Sequence, residues 1–294
     1  MKTIDIVKEP KLKVSEIFLS VEGEGPYTGW PTLFLRTWGC NFTCSGFGVT
    51  KPYLDYSNIT DVRQVDKVES GCDSSYSWHN SAKQLAKEYT PKELANEILN
   101  VIESHTGARS FEYSNGQAII LCFTGGEPML WQLPIIKTLE CIEAIPNNNL
   151  YHILFETNTT QKLQPLFEDW LKERSEILDR NSKDIIFAMS PKLSNSGESW
   201  SKAIMPSVAS SYAKVSNDYY FKFVGDNSEA SWKDIVDAVN YYKATADKVW
   251  IMPEASTEDQ QNTIAETLAL TCLKKGYKFC YRTHVAIFGN KTMT

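Results

Sequence analysis

The chain has 294 residues, 42% hydrophobic and 22% charged, with a net charge of −6. That is an ordinary composition for a soluble globular protein long enough to bury a large core. It speaks against a general grip on nucleic acid, and no apolar run reaches the roughly 20 residues of a membrane span. Residues 1–13 hold no apolar stretch of the secretory kind, so a cytoplasmic protein is expected. Seven cysteines in such a chain point to reduced thiols and metal or cluster ligands rather than a disulfide framework.

In chain order, residues 16–20 (EIFLS) read as a short strand. The turn Val21-Glu22-Gly23-Glu24-Gly25-Pro26 that follows is too glycine-rich for regular structure. Residues 32–38 (TLFLRTW) form an apolar run of strand length that leads into Gly39-Cys40-Asn41-Phe42-Thr43-Cys44. Residues 45–70 mix Gly, Pro, Asp, Asn and Lys with scattered aromatics. They read as a surface excursion with a short hairpin, and a loop of that length is usually functional. Residues 81–88 read as a polar helix.

From residue 90 the pattern becomes regular. Thr90-Pro91-Lys92-Glu93 is a capping box with proline at the first helical position, and Leu94, Ile98, Val101 and Ile102 supply the apolar stripe to Gly107. Strands are expected at 118–123, 150–155, 184–189, 219–224, 248–252 and 277–282. Helices are expected at 133–145, 163–175, 229–245 (capped by Ser228 or Ser231) and 257–275 (capped by Ser256). Residues 193–217, rich in Ser and Asn, read as a surface loop. Alternating strands and helices imply a parallel sheet, covered by helices or closed into a barrel. Nothing marks a domain boundary, so residues 1–294 are expected to form one domain.

Parallel α/β proteins gather ligands at the carboxyl ends of their strands. Four loops fall there: the Cys40 loop, Thr124-Gly125-Gly126-Glu127-Pro128, Glu156-Thr157-Asn158-Thr159, and Ser190-Pro191-Lys192. Each alone could be a plain turn, and Cys40 with Cys44 could be part of a zinc site or two thiols. Cys122, Cys141, Cys272 and Cys280 lie in apolar stretches and read as small buried hydrophobes. Cys72 stands apart, in Gly71-Cys72-Asp73-Ser74-Ser75-Tyr76-Ser77-Trp78.

Taken in this order, these motifs resemble the 7-carboxy-7-deazaguanine synthase family of the radical S-adenosylmethionine superfamily, from about Ile17 to Asn290. The resemblance lies in Val21 to Gly25, Phe34 to Cys40, Cys72 to Trp78, Thr124 to Pro128, Glu156-Thr157, Ser190-Pro191-Lys192 and Thr283-His284. It implies a partial, mostly parallel (β/α) barrel. Where the superfamily's CxxxCxxC motif has its third cysteine, this chain has Phe47. Cys72, whose flanks match the family's C-D-T-x-Y-x-W, takes that role, and residues 45–71 are then an insertion. Cys40, Cys44 and Cys72 would ligate a [4Fe–4S] cluster. Gly125, Gly126, Glu127, Glu156, Ser190, Pro191, Lys192 and the turn Met252-Pro253-Glu254-Ala255 would hold S-adenosylmethionine, with Met252 replacing a family glutamine. Ser74, at a threonine position, would help hold Mg²⁺, since its oxygen is a hard ligand.

Val21, Glu22, Gly23, Arg36, Thr124, His284 and Asn290 would contact the substrate. Arg36 would do so through its planar fork, and Glu22 stands where the family has glutamine. Arg282 and Val285 depart from the family's Gln-Thr-His-Lys. The implied activity is that of a ring-contracting lyase: 6-carboxy-5,6,7,8-tetrahydropterin to 7-carboxy-7-deazaguanine with loss of ammonia, in queuosine-type deazapurine biosynthesis. A homodimer, an electron donor such as flavodoxin or ferredoxin, and no membrane or direct nucleic-acid partner are implied with it. Two rivals remain at this point. One is another radical enzyme, such as a glycyl-radical activase. The other is an inert or divergent cluster protein that binds a small ligand or a protein.

Overall fold

A computed structural model of the chain describes residues 9–48, 54–65, 71–176, 184–289 and 291–294. Nine strands among these residues form one sheet: β1 (Leu12–Val21), β2 (Pro31–Thr37), β3 (Lys87–Tyr89), β4 (Ile120–Gly125), β5 (His152–Thr157), β6 (Asp184–Met189), β7 (Asp218–Gly225), β8 (Val249–Pro253) and β9 (Lys278–Phe279). The spatial order is β3-β1-β2-β4-β5-β6-β7-β8-β9. β3, β1 and β2 pair antiparallel, and every pairing from β2 to β9 is parallel. The sheet is a partial (β/α) barrel, as expected.

Helices α1 (Pro91–Thr106), α2 (Gln132–Glu143), α3 (Pro165–Ser175), α4 (Trp200–Ala203), α5 (Pro206–Lys214), α6 (Glu229–Tyr242), α7 (Glu258–Lys275) and α8 (Thr283–Phe288) complete the described residues. The capping box at α1 forms in full: Glu93 N–H donates to Thr90 Oγ1 at 3.4 Å, and Thr90 N–H donates to Glu93 Oε2 at 2.9 Å. Ser228 caps α6 by accepting from Ser231 N–H. Thr257, not Ser256, caps α7, because its hydroxyl is the one that meets Gln260 N–H.

The period of two along each strand separates two interiors. On the outer face Phe123, Phe155 and Phe187 stack in series and Tyr212 of α5 stacks on Phe187, with successive ring centroids 5.4, 5.1 and 4.5 Å apart. They belong to the large core between sheet and helices. On the inner face Ile120, Cys122, Leu154, Ile186, Ala188 and Tyr220 make a smaller apolar floor with Phe34 and Trp250. Continuing at the same parity toward the carboxyl ends, the inner face carries Arg36, Thr124, Glu156, Ser190, Lys222 and Met252. One face is thus apolar below and polar above.

Four stretches differ from expectation. Residues 81–88 split into a 3-10 turn (Asn80–Leu85) and the edge strand β3. Residues 193–217 contain α4 and α5 rather than a plain loop, because Val208, Ala209 and Tyr212 bury one side of α5. The last strand is only Lys278–Phe279, and α8 follows it. Residues 54–65 show no strand, so no hairpin is seen among the described residues of 45–70. Instead Tyr56 and Val65 join Tyr76, Ala82 and Leu85 in a core of their own, flanked by Trp38, Ile59 and Val62.

Candidate active site

The polar end of the inner face opens into a cavity of about 620 Å³. Cys40, Cys44, Cys72 and Ser74 line it, together with Val21, Glu22, Gly23, Arg36, Thr124 and His284. So do Gly125, Gly126, Glu156, Ser190, Lys192 and Met252 to Ala255. Of the site residues expected from sequence, Glu127 and Pro191 do not line the cavity, and Asn290 lies outside the described residues.

Glu127 is fully buried and engaged by the protein. Its Oε1 accepts from Thr157 Oγ1 (2.8 Å) and Met129 N–H (3.0 Å), and its Oε2 accepts from Asn158 N–H (2.7 Å). Burial pushes it up to about 7 against these donors. The carboxylate therefore ties the β4 loop to the β5 loop, and of this turn only Gly125 and Gly126 line the cavity. That turn sits against the cysteine loop: Glu127 N–H donates to Gly39 O at 2.8 Å. A Cβ on Gly126 would lie 2.1 Å from Gly39 O. Gly126→Ala is therefore expected to lower stability by about 1–3 kcal/mol, the usual range for overpacking against backbone, and a denaturant midpoint checks it.

The cysteine loop returns on itself. Gly71 N–H donates to Phe47 O at 3.0 Å, so the stretch 45–71 leaves and re-enters at one point. Gly46 and Phe47 are pinned from the other side by Ser196 O and Asn195 O at 2.9 and 2.7 Å. Cys40, Cys44, Cys72, Phe42, Phe47 and Ala203 share one small apolar cluster. Burial pushes the Cys40 thiol up to about 12 and raises Cys44 as well, and the Lys192 cation opposes both. Thiolates here need cationic partners, as a metal cluster would provide. Among the described residues no three His, Cys, Asp or Glu side chains close on a point where one metal ion could sit. Cys40, Cys44 and Cys72 line the same cavity, and thiolates are the ligands a [4Fe–4S] cluster takes, so the chemistry of the donor set fits that group.

Cys122 lies on the apolar floor, wholly buried, and does not line the cavity. Cys272 and Cys280 are also buried, and Cys141 is partly so. All four match the reading as small hydrophobes, although Cys280 Sγ also accepts from Gly25 N–H at 3.0 Å.

A buried charge network backs the opposite wall. Lys222 donates to Glu24 at 2.8 Å and to Glu156, and Glu156 accepts from Thr124 at 2.8 Å. Arg282 reaches Glu24 (2.8 Å), Asp73 (2.6 Å) and Ala255 O (2.7 Å). Burial alone would raise Glu24, but Lys222 and Arg282 outweigh it and hold the carboxyl well below its usual range. His284 packs on Gly23 and is pushed down to about 4, by burial first and then by Arg282, so it is neutral. Arg36 donates through Nε to Glu16 at 2.5 Å, which Tyr76 also reaches at 2.6 Å. Lys222, Glu24, Glu16 and Asp73 were not singled out from sequence. Lys222 had the same signal as Arg36, a lone cation in an apolar strand (YYFKFV). Residues 291–294 also line the cavity, with Met293 N–H on Glu16 at 3.1 Å and Thr292 Oγ1 on Val62 O at 3.0 Å.

Fold and site together define a partial (β/α) barrel with a thiol-walled, charge-backed cavity at its strand ends. By sequence the chain is similar over its whole length to 7-carboxy-7-deazaguanine synthases. It is 25% identical to the one from Pyrobaculum aerophilum over 284 residues, covering 96% of each chain. It is 23% identical to that of Rhodopirellula baltica over 300 residues, covering 97% of this chain and 90% of the relative. No family model matches. The crystal structure of QueE from Escherichia coli shares the fold, with a TM-score of 0.51, 18% identity and coverage of 93% of this chain and 95% of that one. No helix among the described residues is long and apolar enough to cross a membrane.

Proposed function

We propose that the chain is a radical S-adenosylmethionine lyase that converts 6-carboxy-5,6,7,8-tetrahydropterin to 7-carboxy-7-deazaguanine with loss of ammonia. One observation carries this reading beyond sequence similarity. Motif residues from widely separated segments, Glu22, Arg36, Cys40, Cys72, Gly125, Glu156, Lys192, Glu254 and His284, line one cavity.

Cys40, Cys44 and Cys72 would hold a [4Fe–4S] cluster, and the cluster with S-adenosylmethionine supplies one-electron bond cleavage when bound. The rest falls to the chain's own residues. Gly125 and Gly126 let the backbone approach the methionine moiety, and with Glu127 occupied a carbonyl is left to receive its ammonium. Lys192, whose Nζ donates to Ser190 Oγ at 3.4 Å, would with it meet the carboxylate of the same cofactor. Met252 offers only packing, and Glu254, held by Asn195 at 2.8 Å, offers the turn's acceptor. Arg36 has Nε fixed by Glu16, which orients its terminal nitrogens for a substrate carboxylate. Val21 to Gly23, Thr124 and His284 would face the pterin ring, and Asn290 is proposed on resemblance alone.

Ser74 lies against Cys72, Oγ to Sγ 3.5 Å, and its hydroxyl is the proposed Mg²⁺ ligand. Ser74→Ala should blunt Mg²⁺ stimulation of turnover while four irons per chain are retained. Undiminished Mg²⁺ dependence would remove Ser74 from the metal's shell.

The chain would work as one domain with 45–71 inserted, as a cytoplasmic homodimer reduced by a flavodoxin or ferredoxin. Anaerobic incubation of the reconstituted protein with the pterin, S-adenosylmethionine and Mg²⁺ should yield a product of the mass of 7-carboxy-7-deazaguanine. Full iron content without that product would leave the fold and remove the reaction.

A further inference from the structure

Among the described residues, Glu22 is a cavity-wall carboxylate with one buried oxygen that the charge network leaves unsatisfied. It is 2% exposed and lines the cavity. Its Oε1 accepts from Glu24 N–H at 3.1 Å, whereas its buried Oε2 has no hydrogen-bond partner among the described residues. A buried oxygen left without a partner is costly unless something fills the place.

The charges around Glu22 determine its protonation state. Glu156 and Thr124 stand on β5 and β4, Lys222 and Tyr220 on β7, and Cys122 on the floor. Glu24, Cys280, Arg282 and His284 close the other side. Lys222 and Arg282 are already divided among Glu24, Glu156 and Asp73. An ionised Glu22 would be a fourth carboxylate sharing two cations, with neutral His284 unable to help. Burial first, and then the charge of Glu156, push it up to about 8. At neutral pH the group is mostly a neutral acid.

We propose that Glu22 acts as a neutral carboxylic acid whose Oε2–H donates into the cavity, to a carbonyl or ring nitrogen of the substrate heterocycle. This rests on the pterin reading above and deepens it. A carboxylate can only accept, whereas a carboxylic acid, like an amide, both accepts and donates. Oε1 is already spent on Glu24 N–H, so the donor is the function left for Oε2. The consequence is selection of a ring that presents an acceptor there, and a pH limit on binding that the amide would not have.

The test uses the cluster-loaded protein with S-adenosylmethionine, kept anaerobic, and 6-carboxy-5,6,7,8-tetrahydropterin as probe. Wild-type affinity should fall about tenfold per pH unit above about 8, one proton being linked to binding. Glu22→Gln should bind within a few-fold of wild type at pH 7 and lack that linked proton. The pterin's own titration appears in both proteins and cancels in their ratio. Independently, the ligand-free wild-type minus Glu22→Gln infrared difference spectrum should show a protonated carboxyl stretch at pH 7 that fades by pH 9. Identical pH profiles, or loss of binding at pH 7 in Glu22→Gln, overturn the donor role. An absent carboxyl band overturns the neutral acid. A band present with no pterin binding at any pH fails the functional reading, and the pterin donor role with it, while leaving the protonation state standing.

Discussion

Replacing Cys72 with alanine is expected to abolish the four-iron cluster and, with it, cleavage of S-adenosylmethionine. The spacing alone would not support this, because residues 45–71 stand where the family motif has two residues. Closing the longer loop costs about 2 kcal/mol more in the ideal-chain estimate, which ligation and local packing can offset. The structure supplies such packing: the Phe47–Gly71 hydrogen bond at the loop's neck and the separate core around Tyr56. Trp78 Nε1–H points at Cys72 Sγ from 3.4 Å, the kind of donor that supports a thiolate. Cys122→Ala is the control. That thiol is on the apolar floor, so the variant should reconstitute four irons and cleave the cofactor. Iron and sulfide content with the yield of 5′-deoxyadenosine after reduction reads both variants. A Cys72→Ala protein with four irons and normal cleavage would remove Cys72 from the ligand set.

How much of this could be read in the sequence depends on where each signal lay. Strands β4 to β8 and helices α1, α2, α3, α6 and α7 were legible because apolar runs and caps are local features. The α1 box is written in four consecutive residues, Thr90-Pro91-Lys92-Glu93. Helix α5 was not legible, because its sequence PSVASSYAK is mostly small and polar. Its three buried residues become an apolar face only when the sheet is there to meet them. The same holds for β3, a three-residue edge strand whose pairing with Leu12 to Val14 is long-range.

In the site, glycine-rich loops and cysteines announced themselves by composition. Glu127 did too, but a motif cannot tell whether a carboxylate faces a ligand or its own backbone. Three donors at 2.7 to 3.0 Å put it on the backbone side. Glu24 and Asp73 lay inside matched motifs, and Lys222 stood in an apolar strand as Arg36 does, yet none of the three disclosed its partner. A single charge in a strand or turn carries no partner in its neighbourhood of sequence, and Lys222 lies 198 residues from Glu24.

Lys222 also yields the largest expected loss of stability. Its side chain is 5% exposed, with Glu24 and Glu156 as its two acceptors. Burial would lower its pKa, but Glu156 and Glu24 hold it well above the usual lysine range. Its contribution is therefore present throughout the neutral range and is lost only as pH rises beyond the ordinary lysine value. Lys222→Met removes the cation and leaves two carboxylates, Glu24 buried and Glu156 partly so, with Arg282 alone to serve Glu24. Stranding buried charge in this way costs about 3–5 kcal/mol.

The pH dependence separates this cause from a simple packing fault. In the wild type Glu24 is depressed, so it contributes stability above its unfolded value of 4.5 that is lost as pH falls through the depressed value. In Lys222→Met that contribution shrinks, since Arg282 alone then opposes the upward push of burial on Glu24. The gap between wild type and variant should therefore be widest at pH 8 and narrower at pH 5. Adding Glu156→Gln to the methionine variant should recover part of the loss, because one of the stranded charges is gone. Denaturant midpoints of the three proteins at the two pH values measure this. A loss equal at both pH values and unrelieved by Glu156→Gln would mean that Lys222 stabilises the barrel by packing its stem, not by neutralising the wall of the cavity.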